Sequence, residues 1–416
     1  RFIVRHPKNA DKASGRILVE IVNSTSFMDH DRIWLLTYKH LMREGDVYIG
    51  ITSKPITMKT LRRYDEKRYA ALSWKNPRES LFPSELLGNI PGASFPETED
   101  GLLWDMLTDL PGKIKERKEI IGGITPKKIY LAGWSQSGAV MITYTNYFAK
   151  ARRDAGLPPI YDGWFSAGAV PYCAPALNQS ECMDEKEGES RIRFAGVPYM
   201  EMHTESENAF LGTAKARIPD SDAEDMQYRF YAVPGATHDA RSTMRDYYHD
   251  DRSDQDRVGV FFVYPGREPN PNSFPYEQAF SAGLQCLYDW VEKRILPPEV
   301  PDIPVNKDLT NKKDEYGNAL GGWRLPEIEL PVCTYQQFST PLVKSESGAL
   351  YGCEIPFTAE KLQELYIDAE HYRSLVEKKA DEAVAKRLIL SEDREECIAH
   401  ALAKAVKYGL KGGKAL

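Results

Sequence analysis

The chain has 416 residues, 42% hydrophobic and 28% charged, with a net charge of −7. That length holds one large core with an extension, or two domains. The acidic balance offers no Lys/Arg track for a nucleic-acid backbone, and no run of about eighteen apolar residues exists to span a membrane.

Six cysteines are too few for a disulfide scaffold at this length, and no Cys-x-x-Cys pair occurs. Cys173 and Cys182 read as free thiols rather than a bridge, which favours a cytoplasmic setting and leaves a secreted one open. Phe2-Ile3-Val4 reads as a strand behind a first residue that is Arg rather than Met, so a removed leader is neither seen nor excluded.

Arg16 to Asn23 is β-branched and apolar, as an inner strand requires, and ends in the polar loop Asn23-Ser24-Thr25-Ser26. Ile33 to Glu44 follows as an amphipathic helix with Leu35, Tyr38 and Met42 on one face. Gly45 stops it, and Val47 to Thr52 returns as a strand. This βαβ unit calls for a parallel sheet. Residues 54–100 lack clear periodicity and read as a cap-like insertion. A helix lies within 99–121, interrupted at Pro111-Gly112.

Ile129 to Ala132 is a short buried strand, and from Ser137 the apolar residues Val140, Tyr144, Tyr147 and Phe148 fall at helical spacing. Between them is room only for a sharp turn, with Ser135 at its apex. Gly133 and Ser137 must be small because the backbone doubles back there, and Ser135 is pushed into a cleft in a strained conformation. The next helix points its N-terminus at the same spot, so the Gln136 backbone N–H becomes an oxyanion donor.

Gly163 to Ala169 is a further strand, and 171–195 a second cap-like insertion. Val197 to His203 is a strand running into Thr204-Glu205-Ser206-Glu207, and Arg229 to Val233 one running into Pro234-Gly235-Ala236-Thr237-His238. A helix from Tyr276 to Ile295 closes a core spanning 1–300. Pro297, Pro298, Pro301 and Pro304 mark a linker. Beyond it, residues 301–416 form an extension that packs on the core as a possible lid. It holds a Gly-rich loop, Gly317 to Gly322, and helical stretches near 358–386 and 391–408.

A serine hydroxyl needs a base to remove its proton, and the base needs a partner that fixes its tautomer. In a parallel sheet the C-terminal strand ends share one edge, so Ser135, Glu207 and His238 can meet there. Of the eight histidines, His203 lies inside a strand, and His249 sits in an acidic stretch without metal-ligand spacing. Glu205 competes with Glu207 for the acid, since alternation would put both on one side. A backbone N–H near Ser24 is the natural second oxyanion donor. Trp134 and Trp323 are expected to line the substrate pocket.

With these residues assembled, the chain resembles the α/β-hydrolase superfamily, and more narrowly its "alpha/beta hydrolase domain-containing" members. The resemblance is carried by Val19-Glu20-Ile21-Val22-Asn23, Gly133-Trp134-Ser135-Gln136-Ser137-Gly138, Thr204-Glu205-Ser206-Glu207 and Asp314 to Pro326. It implies an α/β fold, a mostly parallel sheet flanked by helices, and a serine carboxylesterase-type hydrolase acting on a small-molecule ester with no metal or organic cofactor. Two departures stand out: Ser137 replaces the usual elbow glycine, and the acid is Glu rather than the commoner Asp. An acyltransferase on the same residues and a non-catalytic binding protein on this fold are the competing readings. Oligomeric state is left open.

Overall fold

The computed structural model describes residues 1–25, 27–77, 98–169, 191–210, 217–240, 257–258, 270–338 and 350–412. Cys173, Cys182, His249, the latter part of the 54–100 insertion and most of the 171–195 insertion lie outside these residues.

In chain order the elements that position the site are β1 (Phe2–Arg5), β2 (Arg16–Ile21), α1 (Arg32–Glu44), β3 (Val47–Ile51), α2 (Pro55–Tyr64), α3 (Leu102–Glu116), β4 (Lys128–Trp134) and α4 (Gln136–Thr143). They continue with β5 (Gly163–Ala167), β6 (Tyr199–Thr204), α5 (Glu205–Phe210), β7 (Ser221–Ala223), β8 (Met226–Val233) and α6 (Tyr276–Lys293). Last come β9 (Cys333–Gln336), β10 (Cys353–Pro356), α7 (Ala359–Tyr366), α8 (Ala369–Ala385) and α9 (Arg394–Lys407). Among the described residues, eight strands form one sheet in the order β1-β3-β2-β4-β5-β6-β8-β7, and β9 pairs with β10 in a separate two-stranded sheet. β2 to β6 and β8 run parallel, while β1 and β7 close the edges antiparallel. This is the expected α/β fold.

Alternation along the strands divides the core into two layers. Leu18, Tyr130, Ala132, Phe165 and Met202 face the layer that holds α1, α6 and the C-terminal helices. Ile17, Val19, Ile129, Leu131 and Trp164 face the layer of α3 and α4. Each fully buried aliphatic or aromatic side chain contributes roughly 1.5–3 kcal/mol, which the strand runs multiply over a whole sheet.

Three local expectations change. The buried face of α1 is Ile33, Leu36, Thr37, His40 and Leu41 rather than Leu35, Tyr38 and Met42, because α6 packs on the former; Met42 is 67% exposed. The helix at Leu102–Glu116 runs through Pro111 without a break. The carbonyl of Leu107, four residues earlier, would lose its N–H donor to the proline ring, and the Tyr161 hydroxyl donates to it instead at 2.7 Å. Conversely, the stretch 358–386 is two helices. Ile367 takes φ 65° after α7, and the Asp368 carboxylate then caps α8 through the His371 N–H at 2.8 Å.

The segment beyond the prolines is clamped to the sheet. Gly321 and Gly322 have positive φ, and a Cβ on Gly322 would lie 2.6 Å from the Ala232 carbonyl of β8. The glycines thus serve close approach to the chain's own linker and sheet: the Gly322 N–H donates to Pro301 O and the Trp323 N–H to Ala232 O, both at 2.7 Å. Farther along, the buried Lys404 ammonium of α9 reaches Glu327 at 2.9 Å, Glu354 at 3.1 Å and the Tyr335 hydroxyl at 2.8 Å. Glu354 also accepts the Ser273 N–H at 2.7 Å, which ties α9, the β9–β10 sheet and the loop before α6 together.

Candidate active site

β4 ends at Trp134, and α4 begins at Gln136, so one residue turns the chain. Ser135 does so with φ 57° and ψ −120°, a left-handed conformation that costs a non-glycine residue on the order of 1–3 kcal/mol. Its neighbours hold it there: the Ser135 N–H continues the sheet ladder to Ala167 O at 2.8 Å, and its carbonyl accepts the Ala139 N–H at 3.2 Å. A Cβ at Gly133 would lie 2.6 Å from the Ser137 carbonyl, and one at Gly138 2.7 Å from the Ala169 Cβ. The tight approach therefore falls at Gly133 and Gly138, which is why Ser is accommodated at 137. Gln136 is the first residue of α4, where a helix leaves its N–H without an intrahelical acceptor.

The loop after β2 is bound to this turn by the side chain of its first polar residue. Asn23 Nδ2 donates to the Trp134 carbonyl at 3.0 Å, one residue before Ser135. Asn23 Oδ1 accepts the Thr25 N–H at 2.9 Å, and the Asn23 N–H goes to His30 O at 2.9 Å. Ser24, between them, is buried, with its hydroxyl 3.5 Å from that of Ser53. A polar residue at the end of an early strand was the visible signal; its partner was not.

The segment after β6 is helical, not extended. Positions two apart on a helix diverge by about 200°, so Glu205 and Glu207 point to different sides rather than the same one. Glu205 accepts the Gly235 N–H at 2.7 Å and pairs with Lys313. Glu207 Oε1 lies 2.5 Å from His238 Nδ1, while its Oε2 accepts the Thr204 N–H at 2.6 Å and the Thr204 hydroxyl at 2.7 Å. Both carboxylates are fully buried. The Ser206 hydroxyl sits between the two loops: it accepts the His238 N–H at 3.3 Å and donates to Gln337 O at 3.1 Å.

Burial opposes the charge on Glu207, yet His238 and the Thr204 bonds hold its pKa down at about 2. Burial likewise works against protonated His238, but the Glu207 carboxylate outweighs it and raises the imidazole above its ordinary value. An ionised Glu207 can only accept, so His238 Nδ1 carries the proton and Nε2 is left with the basic lone pair. His203, fully buried inside β6, faces Glu201 at 2.8 Å instead.

The alpha/beta hydrolase domain family model matches residues 1–399. The chain belongs to that family. Among curated proteins none matches. Similar solved structures include an alpha-beta serine hydrolase homologue from Coxiella burnetii, 9% identical over 56% of this chain and 80% of that one, with a TM-score of 0.30. An esterase B from Lactobacillus rhamnosis inhibited by a tributyrin phosphonate is 11% identical over 56% and 68%, with a TM-score of 0.29. A siderophore hydrolase from Aspergillus nidulans is 15% identical over 53% and 68%, with a TM-score of 0.26. Likenesses this distant say nothing of the substrate.

In this alpha/beta hydrolase the two tryptophans expected to line the pocket do something else. Trp134 is 1% exposed; its ring packs 5.3 Å from the His238 ring and 5.4 Å from Phe280, as a floor beneath the histidine. Trp323 is wholly buried, edge-on to Tyr231 at 4.9 Å, with its indole N–H donated to Leu388 O at 2.8 Å. An indole enclosed on all sides presents no face to a ligand, so both are packing residues. Among the described residues, no cluster of His, Cys, Asp or Glu is placed to hold a metal ion, and no helix is long and apolar enough to cross a membrane.

Proposed function

We propose that this hydrolase cleaves small carboxylic esters through an acyl-enzyme formed on Ser135. Ser135 attacks the ester carbonyl, and His238 Nε2 takes the hydroxyl proton and later gives it to the leaving alcohol. Glu207 keeps Nδ1 protonated and stabilises the imidazolium. The Gln136 N–H and the Ser24 N–H hold the oxyanion. Of the backbone donors in the Asn23–Thr25 turn, those of Asn23 and Thr25 are already engaged, which favours Ser24. The C-terminal segment borders the site where Leu350 O accepts the Asp239 N–H at 2.8 Å, and in this reading it forms one wall of the entrance.

The observation that carries the reading is the 2.5 Å contact of Glu207 with His238 Nδ1, over the tryptophan that precedes a strained serine. Labelling with a fluorophosphonate probe tests it. The protein labels and Ser135→Ala does not; a binding protein on the same fold would not label at all. A panel of acyl and aryl esters, run with and without an added alcohol, then separates hydrolysis from acyl transfer.

A further inference from the structure

Arg32 is the first residue of α1 and is only 3% exposed. Its Nη2 donates to the His238 carbonyl at 3.2 Å and pairs with Asp239 Oδ1 at 2.7 Å. The same guanidinium lies over the Trp134 ring, 5.3 Å from its centroid. A buried guanidinium is costly unless it is paired, and here Nη2 finds two acceptors on the loop that carries His238.

The other end of Arg32 is fixed from the sheet. Glu20 of β2 turns its carboxylate onto the start of α1, accepting the Ile33 N–H at 2.9 Å and the Trp34 N–H at 3.0 Å, with the Tyr48 hydroxyl at 2.7 Å. Arg32 therefore stands where the loop after β2 ends. The beginning of that loop is tied to the serine turn through Asn23 and Trp134 O. One loop thus touches the turn that carries Ser135 and the turn that carries His238.

We infer that Arg32 is a positioning residue that locks the His238 turn to the loop after β2 and balances the Asp239 charge beside the imidazole. The inference rests on the reading of His238 as the base. The charged groups facing His238, among the described residues, are Glu207 from α5, Asp239 beside it and Arg32 from α1; His203 acts on Glu207. Asp239 favours the imidazolium and Arg32 disfavours it, so removing each must move the titration of His238 in opposite directions.

The experiment follows the His238 ring by NMR through a pH titration in the Ser135→Ala background, alongside fluorophosphonate labelling rates in the parent with Ser135 intact. Arg32→Met should raise the His238 pKa and slow labelling by about tenfold or more, since small displacements at a reacting centre are costly. Asp239→Asn should lower the pKa. Arg32→Lys should restore the pKa while recovering only part of the rate, because one ammonium does not reproduce the planar fork. Should Arg32→Met fail to fold, Arg32→Lys and Asp239→Asn still decide, as the first keeps the buried cation and the second keeps the side chain's shape and an amide oxygen that accepts from Arg32. Shifts of one sign in both variants, or no shift in a folded Asp239→Asn protein, overturn the inference. A parent that never labels, with the opposite shifts intact, overturns instead the function proposed above.

Discussion

Lys313, in the segment beyond the proline linker, pairs with the Glu205 carboxylate, whose second oxygen accepts the Gly235 N–H at 2.7 Å. Gly235 opens the turn that ends at His238, and Glu207 grips that same turn at the imidazole. Two acids two residues apart thus hold one loop at two points. The nearer to β6 is a clamp neutralised from the C-terminal segment; the farther touches the His238 imidazole.

Lys313→Met leaves the buried Glu205 anion unpaired. Breaking a fully buried pair costs roughly 3–5 kcal/mol, and less is expected here because Lys313 is partly exposed. Urea unfolding should show the loss. The double variant Lys313→Met/Glu205→Gln should recover most of it, because the amide oxygen can still accept the Gly235 N–H. A double variant no better than the single would mean that the pair does not act as a unit.

Glu207→Gln should lower ester turnover roughly a thousandfold, by favouring the wrong imidazole tautomer and losing the stabilised imidazolium. Glu205→Gln should stay within about fivefold of the parent, since Glu205 bonds Gly235 and Lys313 rather than the imidazole. Steady-state kcat on one activated ester checks both, and the reverse ranking would transfer the acid role to Glu205.

Two pH effects follow from the coupled pair. Glu207 is held at about 2 against an ordinary 4.5, so its contribution to stability is complete above pH 4.5 and is lost as pH falls toward 2. His238 is raised above its ordinary 6.5, so its contribution is present below that value and lost as pH rises through the folded pKa. Because the base must be neutral, kcat/KM should climb along a limb centred at or above 6.5. A profile flat from about pH 5 to 9 would count against a histidine base.

Trp323 should matter to stability and not to ester preference. Trp323→Ala removes a wholly buried indole, at a cost of about 3–5 kcal/mol. Trp323→Phe keeps most of the packing but leaves the Leu388 carbonyl without its donor, at about 1–3 kcal/mol. Thermal unfolding reads both changes. A changed ranking of short against bulky esters at full stability would return Trp323 to the pocket.

What the sequence determined by itself was everything carried by local pattern. Mainly apolar runs announced β2, β4, β6 and β8, because a strand covered on both faces needs apolar side chains on both. Gly133, Ser135 and Ser137 announced the turn between β4 and α4, because backbone proximity admits only small residues there. The proposed grouping of Ser135, Glu207 and His238 was an expectation drawn from strand ends sharing one edge of a parallel sheet. Only the tertiary structure decided what depends on partners far apart in the chain. Glu205 and Glu207 look alike until a helical turn sends one to Gly235 and the other to His238. Nothing near Asn23 or Arg32 in sequence names Trp134 or His238, more than 100 and 200 positions away. Trp323 and the glycines before it read as a pocket rim as readily as a clamp, until β8 and Leu388 enclose them. Pro111 reads as a break until Tyr161 supplies the donor that the proline lacks. Patterning decides which segments must be buried; what each buried polar atom bonds to is settled only when the segments meet.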